Sequence, residues 1–302
     1  MDMNEQFKKM YENIKLTSDQ RKDAKTKYTG VCKKLHDHYY PNVEYSGNTK
    51  LLIGSYGKHT NIRPPRDIDV IFVMPEEKWG QYADNTRNPQ SQLLQDVKKI
   101  LSEKYTTTEK IRSWGKVVLV KFSDGTHDVE VLPAWRNHDG TFKIPNSENG
   151  GSWEYWDPKS EINNIDSSDK DTDGATRMLI RMIKKWTDNC SIKMKSHVIE
   201  KAIINYFSSA IVGSSHAIMV QNFLQFFLDI TLDQDTRSHI TTALNRAKKA
   251  NEFEQAQKLD EATNEWKKVF GEDFPARAGE TKLNTRPPKP IINPPKPWLS
   301  HF

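Results

Sequence analysis

Residues 51–75, LLIGSYGKHTNIRPPRDIDVIFVMP, set a glycine–serine pair between a short apolar run and a longer one that carries two aspartates. Leu51–Ile53 reads as a short strand that ends in Gly54-Ser55. Asp67 to Met74 reads as a second strand, nearly continuous in Ile, Val and Phe and therefore buried on both faces. Side chains two apart on a strand share a face, so Asp67 and Asp69 project together while Ile68 and Val70 point to the opposite core. Two like charges held side by side are costly unless something neutralises them. With no His or Cys nearby, the hard oxygen ligands favour Mg²⁺ or Mn²⁺.

Working outward, HDVEVLPAW at 127–135 offers a third acid, because Asp128 and Glu130 also alternate onto one strand face. Two metal ions about 3.5–4 Å apart need such a third carboxylate. Upstream, the Gly54-Ser55 turn suits a phosphate, received by backbone N–H groups and the Ser55 hydroxyl. Lys58 adds positive charge, and Thr60 follows it in the same YGKHT segment. Eleven residues, Tyr56 to Arg66, separate Ser55 from Asp67. A phosphate-gripping turn, paired aspartates and a third acid together describe nucleotidyl transfer, in which a hydroxyl attacks and pyrophosphate departs.

The rest of the chain is consistent with a soluble enzyme. Its 302 residues suffice for one large domain or two lobes. Mean hydropathy is −0.79, and no run of about 18 apolar residues is present, so no membrane partner is expected. The first residues, MDMNEQFKKMYENIKL, lack the apolar core of a signal peptide. The two cysteines, Cys32 and Cys190, form neither a disulfide framework nor a zinc site. A cytoplasmic location is expected. The net charge of +5 suits an anionic ligand.

Periodicity supplies the remaining elements. Residues 5–40 read as one or two surface helices, and 90–104 as an amphipathic helix. KVVLVKF (116–122) and HDVEVLPAW read as paired strands with SDGT as the turn between them. Residues 137–174, rich in Asn, Ser, Asp and Gly, read mostly as loop. From Ala175 the pattern is helical throughout: ATRMLIRMIKKWTDN, SHVIEKAIINYFSSAIV, IMVQNFLQFFLDI and one long helix near 236–270. The proline-rich TRPPKPIINPPKPWLSHF reads as a polyproline-type or disordered tail. Domains are expected at 1–150 (a core with an N-terminal helix), 151–280 (helical) and 281–302 (tail).

The Gly-Ser…Asp-x-Asp pattern resembles the DNA polymerase β-like nucleotidyltransferase superfamily. Within it, GSYGKHTNIRPPRDIDVIFV with VEVLPAW is similar to the branch of the oligoadenylate synthetases, cyclic GMP-AMP synthase and the bacterial CD-NTases. RMLIRMIKKW followed by SHVIEKAI is similar to that branch's helical lobe, and EWKKVFGEDFP resembles the end of the SMODS-type enzymes. The resemblance implies an α+β fold: a mixed-sheet nucleotidyltransferase core and a C-terminal helical lobe, forming a two-lobed cage. It implies that Gly54 and Ser55 hold a donor triphosphate and that Asp67 and Asp69 bind two Mg²⁺ ions. Glu130, where the family usually has aspartate, would bind the catalytic metal and act on the attacking hydroxyl, with Asp128 as the fallback if the register differs by two. Lys184 and Ser196 match the helical lobe's triphosphate contacts.

The implied activity joins ATP and/or GTP into a cyclic oligonucleotide, within bacterial antiphage defence of the CBASS type. The nearest rival activity is that of a linear oligoadenylate or RNA 3′-end nucleotidyltransferase. Lys and Arg are dispersed among 40 acids, which counts against a long nucleic-acid acceptor. Transfer onto an antibiotic or protein is a more remote reading, as is an inactive nucleotide sensor. The tail, ending in WLSHF, is a candidate docking strip for a regulatory protein partner.

Overall fold

The computed structural model describes residues 1–83, 87–209 and 215–277, which form two compact units. Asp84–Thr86, the end of the predicted 196–212 helix and the proline-rich tail lie outside the described residues. No helix among the described residues is long and apolar enough to cross a membrane.

The sheet unit comprises Thr17–His59 and Pro65–Ile162. Its strands are β1 (Lys50–Leu52), β2 (Ile68–Val73), β3 (Lys110–Trp114), β4 (Val117–Lys121), β5 (Val129–Arg136), β6 (Phe142–Asn146) and β7 (Ser152–Trp156). The spatial order is β1-β2-β5-β4-β3, with β6 pairing to β5 and β7 to β6. β2 and β5 run parallel, and the other pairs are antiparallel. The predicted β4–β5 hairpin forms, with Val118 opposite Val131. Helices α2 (Ser18–Tyr39) and α5 (Pro89–Lys104) pack on the sheet, and the Tyr39 ring lies against Phe72. That contact assigns Ile68, Val70 and Phe72 to the helix-covered face. The alternate residues, Ile71 and Leu132, join Ile53, Ala134, Phe142 and Ile144 in a separate cluster on the other face.

Three expectations are corrected here. Residues 137–174 are not mostly loop: they hold β6, β7 and α6 (Pro158–Asp171). A turn between β6 and β7 holds Asn149, Gly150 and Gly151, which all take positive φ. Between the turns, Phe142 and Ile144 alternate into the core. The helix near 236–270 is two helices, α10 (Gln234–Gln255) and α11 (Leu259–Phe270), broken where Gln257 turns into the left-handed region. The N-terminal stretch is two helices, and the first falls in the helical unit and not in the sheet unit.

That first helix, α1 (Met3–Ile14), begins with a capping box between Asp2 and Glu5. It belongs to the helical unit, with Thr60–Pro64 and the described chain from Asn163 to Arg277, whereas the sequence reading groups it with the sheet core. The other helices here are α7 (Ala175–Asn189), α8 (Ser196–Ser209), α9 (His216–Ile230), α10 and α11. Two more short helices, α3 (Gly54–Gly57) and α4 (Trp79–Ala83), lie in the sheet unit. Phe7 is fully buried and meets Trp266 edge-on at 4.9 Å and Phe274 at 5.1 Å. Phe7→Ala should therefore destabilise the helical unit by about 3–5 kcal/mol, read as a lower denaturation midpoint; a midpoint unchanged from wild type would contradict this packing.

Candidate active site

The acids converge through strand register. Asp69 is the direct neighbour of Glu130 across the parallel β2–β5 pair, and in-register neighbours point to the same face. Asp67 lies two residues earlier, and the Ile68 N–H donates to the Asp128 carbonyl, bringing Asp67 beside Asp128 at the strand entry. The acidic positions therefore share the face opposite α2 and α5, ahead of the apolar cluster around Ile71 and Leu132. Glu130 is buried at 4% exposure, whereas Asp67 and Asp69 are half-buried.

Asp128 has a different task. Its carboxylate accepts the Phe122 N–H at 3.1 Å and so closes the β4–β5 turn. Burial raises its pKa, the Phe122 hydrogen bond works in the opposite direction, and the nearby Asp67 charge raises it further. The turn is held from α2 as well: Lys27 pairs with Asp124, and Asp23 accepts from the Thr126 hydroxyl and meets His127 Nδ1 at 2.7 Å. This α2 network had no signal in the sequence beyond isolated charges on a helix.

The glycine–serine turn is built against Asp69. The Ile53 N–H donates to the Asp69 carbonyl at 3.0 Å, ending β1 beside that residue. Gly54 follows with φ +57, and a Cβ there would collide with the Asp69 carboxylate. Glycine is required twice over, by conformation and by close approach. Gly57, unremarked in the sequence, is needed too, because a Cβ would overlap the Leu52 carbonyl oxygen. Ser55 and Tyr56 lie between them in α3. Lys58 is buried at 7% exposure and ion-pairs with Glu161 of α6 at 2.6 Å. The structure thus gives it a carboxylate partner within the protein.

Thr60, Lys184 and Ser196 belong to the helical unit. Ser196 is exposed at the first residue of α8. Lys184 is buried at 7% exposure and donates to the Thr60 hydroxyl at 2.8 Å and to Glu200 at 2.8 Å. Glu200, itself 5% exposed, is the member of this group that the sequence reading missed. A signal was present: Lys184 lies beside Ile183 and four residues from Ile180, and Glu200 lies beside Ile199 and three from Ile203. Opposite charges within apolar stripes of successive helices announce a buried pair. Removing one partner alone would strand the other at a cost of about 3–5 kcal/mol.

Among the described residues no group of three or more His, Cys, Asp or Glu is arranged to hold an ion as it stands. The donor set nevertheless fits a hard divalent cation: carboxylate oxygens from neighbouring register positions, with Asp69 seated against a glycine that leaves it room.

A sheet carrying in-register acids beside a glycine–serine turn, in a chain with a separate helical unit, is the α+β architecture of a nucleotidyltransferase. The model of the Second Messenger Oligonucleotide or Dinucleotide Synthetase (SMODS) domain matches residues 1–168, more than half of the chain, and the chain belongs to that family of CD-NTase enzymes. It is 23% identical over 313 residues to a probable cyclic nucleotide synthase of Bacillus cereus, covering 84% of this chain and 94% of the relative. Among solved structures it resembles Escherichia coli CdnC with ATP, at TM-score 0.67 and 16% identity, over 91% of this chain and 99% of that one. It also resembles the Vibrio cholerae cyclic AMP-GMP synthase DncV with a linear intermediate, at TM-score 0.68 and 13% identity, over 87% and 93%.

The raised pKa of Asp128 sets a stability test. The folded chain binds this proton more tightly than the unfolded chain, so ionisation above pH about 4 costs stability. Asp128→Asn keeps an acceptor for the Phe122 N–H and removes the charge. Its thermal midpoint should exceed that of wild type at neutral pH, with the gap closing as pH falls to about 4 and below. A gap that widens in acid would contradict the assignment.

Proposed function

We propose that this enzyme is a metal-dependent synthase that joins ATP and/or GTP units into a cyclic oligonucleotide. The observation that carries the reading is the alignment of Asp69 with Glu130, on one sheet face with Asp67 and against Gly54. Asp67, Asp69 and Glu130 would hold two Mg²⁺ or Mn²⁺ ions, which when bound neutralise the triphosphate and lower the barrier to attack by a hydroxyl. Gly54 and Ser55 receive the donor triphosphate, with Lys58, Thr60, Lys184 and Ser196 completing the nucleotide contacts. Glu130 acts on the attacking hydroxyl, by accepting its proton or by orienting it. Asp128 serves as the turn lock and not as the third ligand, which its bond to the Phe122 N–H supports.

The product is proposed to be a second messenger of bacterial antiphage defence, made in the cytoplasm. The family assignment and the likeness to a cyclic AMP-GMP synthase support this. Escherichia coli CdnC is also solved in complex with a HORMA protein, which supports a regulatory protein partner here.

The experiment is mass spectrometry of products from mixed ATP and GTP with Mg²⁺, alongside pyrophosphate release. Wild type should give cyclic products. The Asp67→Asn/Asp69→Asn pair should lose turnover by at least about 10³-fold while remaining folded. Glu130→Gln should lose far more activity than Asp128→Asn. Retained turnover in the double variant would overturn the site, and a larger loss at Asp128 would move the third ligand.

A further inference from the structure

The helical unit contains a buried polar group in which one member, Glu200, has no part in the reaction proposed above. Lys184 of α7, Glu200 of α8 and Thr60 are all buried, at 7%, 5% and 0% exposure. Lys184 Nζ donates to Thr60 Oγ1 and to Glu200 Oε1, both at 2.8 Å, and the Thr60 hydroxyl donates to Glu200 Oε1 at 3.3 Å. Each member thus touches the other two. One turn earlier on α7, Arg181 Nε donates to the Asn61 carbonyl at 3.1 Å, so the helix grips consecutive residues of one segment. That segment is reached five residues after Ser55 along the chain.

A buried ion pair is a poor device for stability, since an apolar pair of similar volume serves at least as well. It is a good device for fixing direction. A lysine side chain has many rotamers and a mobile ammonium. A carboxylate on a packed helix and a hydroxyl on a gripped segment together hold that ammonium in one place, before any ligand arrives.

We infer that Glu200 is a positioning residue for nucleotide binding: with Thr60 it holds the Lys184 ammonium in the place that receives a nucleoside triphosphate. This rests on the assignment of Lys184 as a triphosphate contact made above. Glu200 does not touch the nucleotide; it acts through Lys184. Its loss therefore falls on the nucleotide KM and leaves kcat nearly unchanged, since preorganisation of a ground-state contact is uniform binding.

Steady-state pyrophosphate release with MgATP and MgGTP tests this, at a temperature well below each variant's melting point. Glu200→Leu, of similar size without an acceptor, should raise KM about tenfold with kcat within about threefold of wild type. Glu200→Gln keeps an acceptor for both Lys184 and Thr60 and should restore KM to within about threefold. Lys184→Met/Glu200→Leu removes both charges together, so it provides a folded comparison, and its KM should equal that of Lys184→Met alone. Equal KM values for wild type and Glu200→Leu would overturn the inference. So would losses that simply add in the double variant, or a loss confined to kcat. Failure of wild type to release pyrophosphate would overturn the transferase reading itself, and this inference with it.

Discussion

Asp69 and Glu130 occupy adjacent register positions on parallel strands, and Asp67 lies two residues before Asp69, so the sheet sets three acidic positions on one face. Strand pairing leaves no freedom here: sliding β5 by one residue would turn Glu130 to the helix-covered face and expose Val129 in its place. The rest of the sheet unit serves this constraint. α2 and α5 cover the far face, the β4–β5 turn is fixed by Asp128 and by the Asp23–Lys27 network, and β1 ends where the Ile53 amide meets the Asp69 carbonyl. Gly54 then follows at a distance from Asp69 that no other residue permits. Like charges on neighbouring positions repel unless something neutralises them.

The helical unit solves the opposite electrostatic problem. Its buried acids come matched to cations, Glu200 with Lys184 across two helices and Glu265 of α11 with Arg246 and Lys268. Around them the core is aromatic and aliphatic, with Phe7 of α1 inserted among Trp266, Phe270 and Phe274. One unit thus concentrates negative charge on a sheet face, while the other orders positive charge by matching it.

Much of this was legible in the residues. The period-two alternation of Asp67, Asp69, Asp128 and Glu130 identified the strand face, and the Gly-Ser pair marked the turn. Parity alone does not separate Asp128 from Glu130; the structure adds that Glu130 faces Asp69 across the parallel pair and that Asp128 accepts the Phe122 N–H. Residues 142–156 escaped notice because short strands separated by Asn, Ser and Gly read locally as loop. The place of α1 was hidden for another reason: an amphipathic stripe states that a helix buries one face, but not against what. Lys184 and Glu200 were visible as charges on apolar stripes, yet only the packing of α7 on α8 makes them a pair.

The central claim is that Asp67, Asp69 and Glu130, and not Asp128, form one cation-binding face. Electron paramagnetic resonance of free Mn²⁺, titrated against the enzyme with a non-reactive ATP analogue, counts bound ions directly. The account predicts two ions per wild-type chain, two for Asp128→Asn, and loss of one in Glu130→Gln. An unchanged count in Glu130→Gln, with a loss in Asp128→Asn, would contradict it.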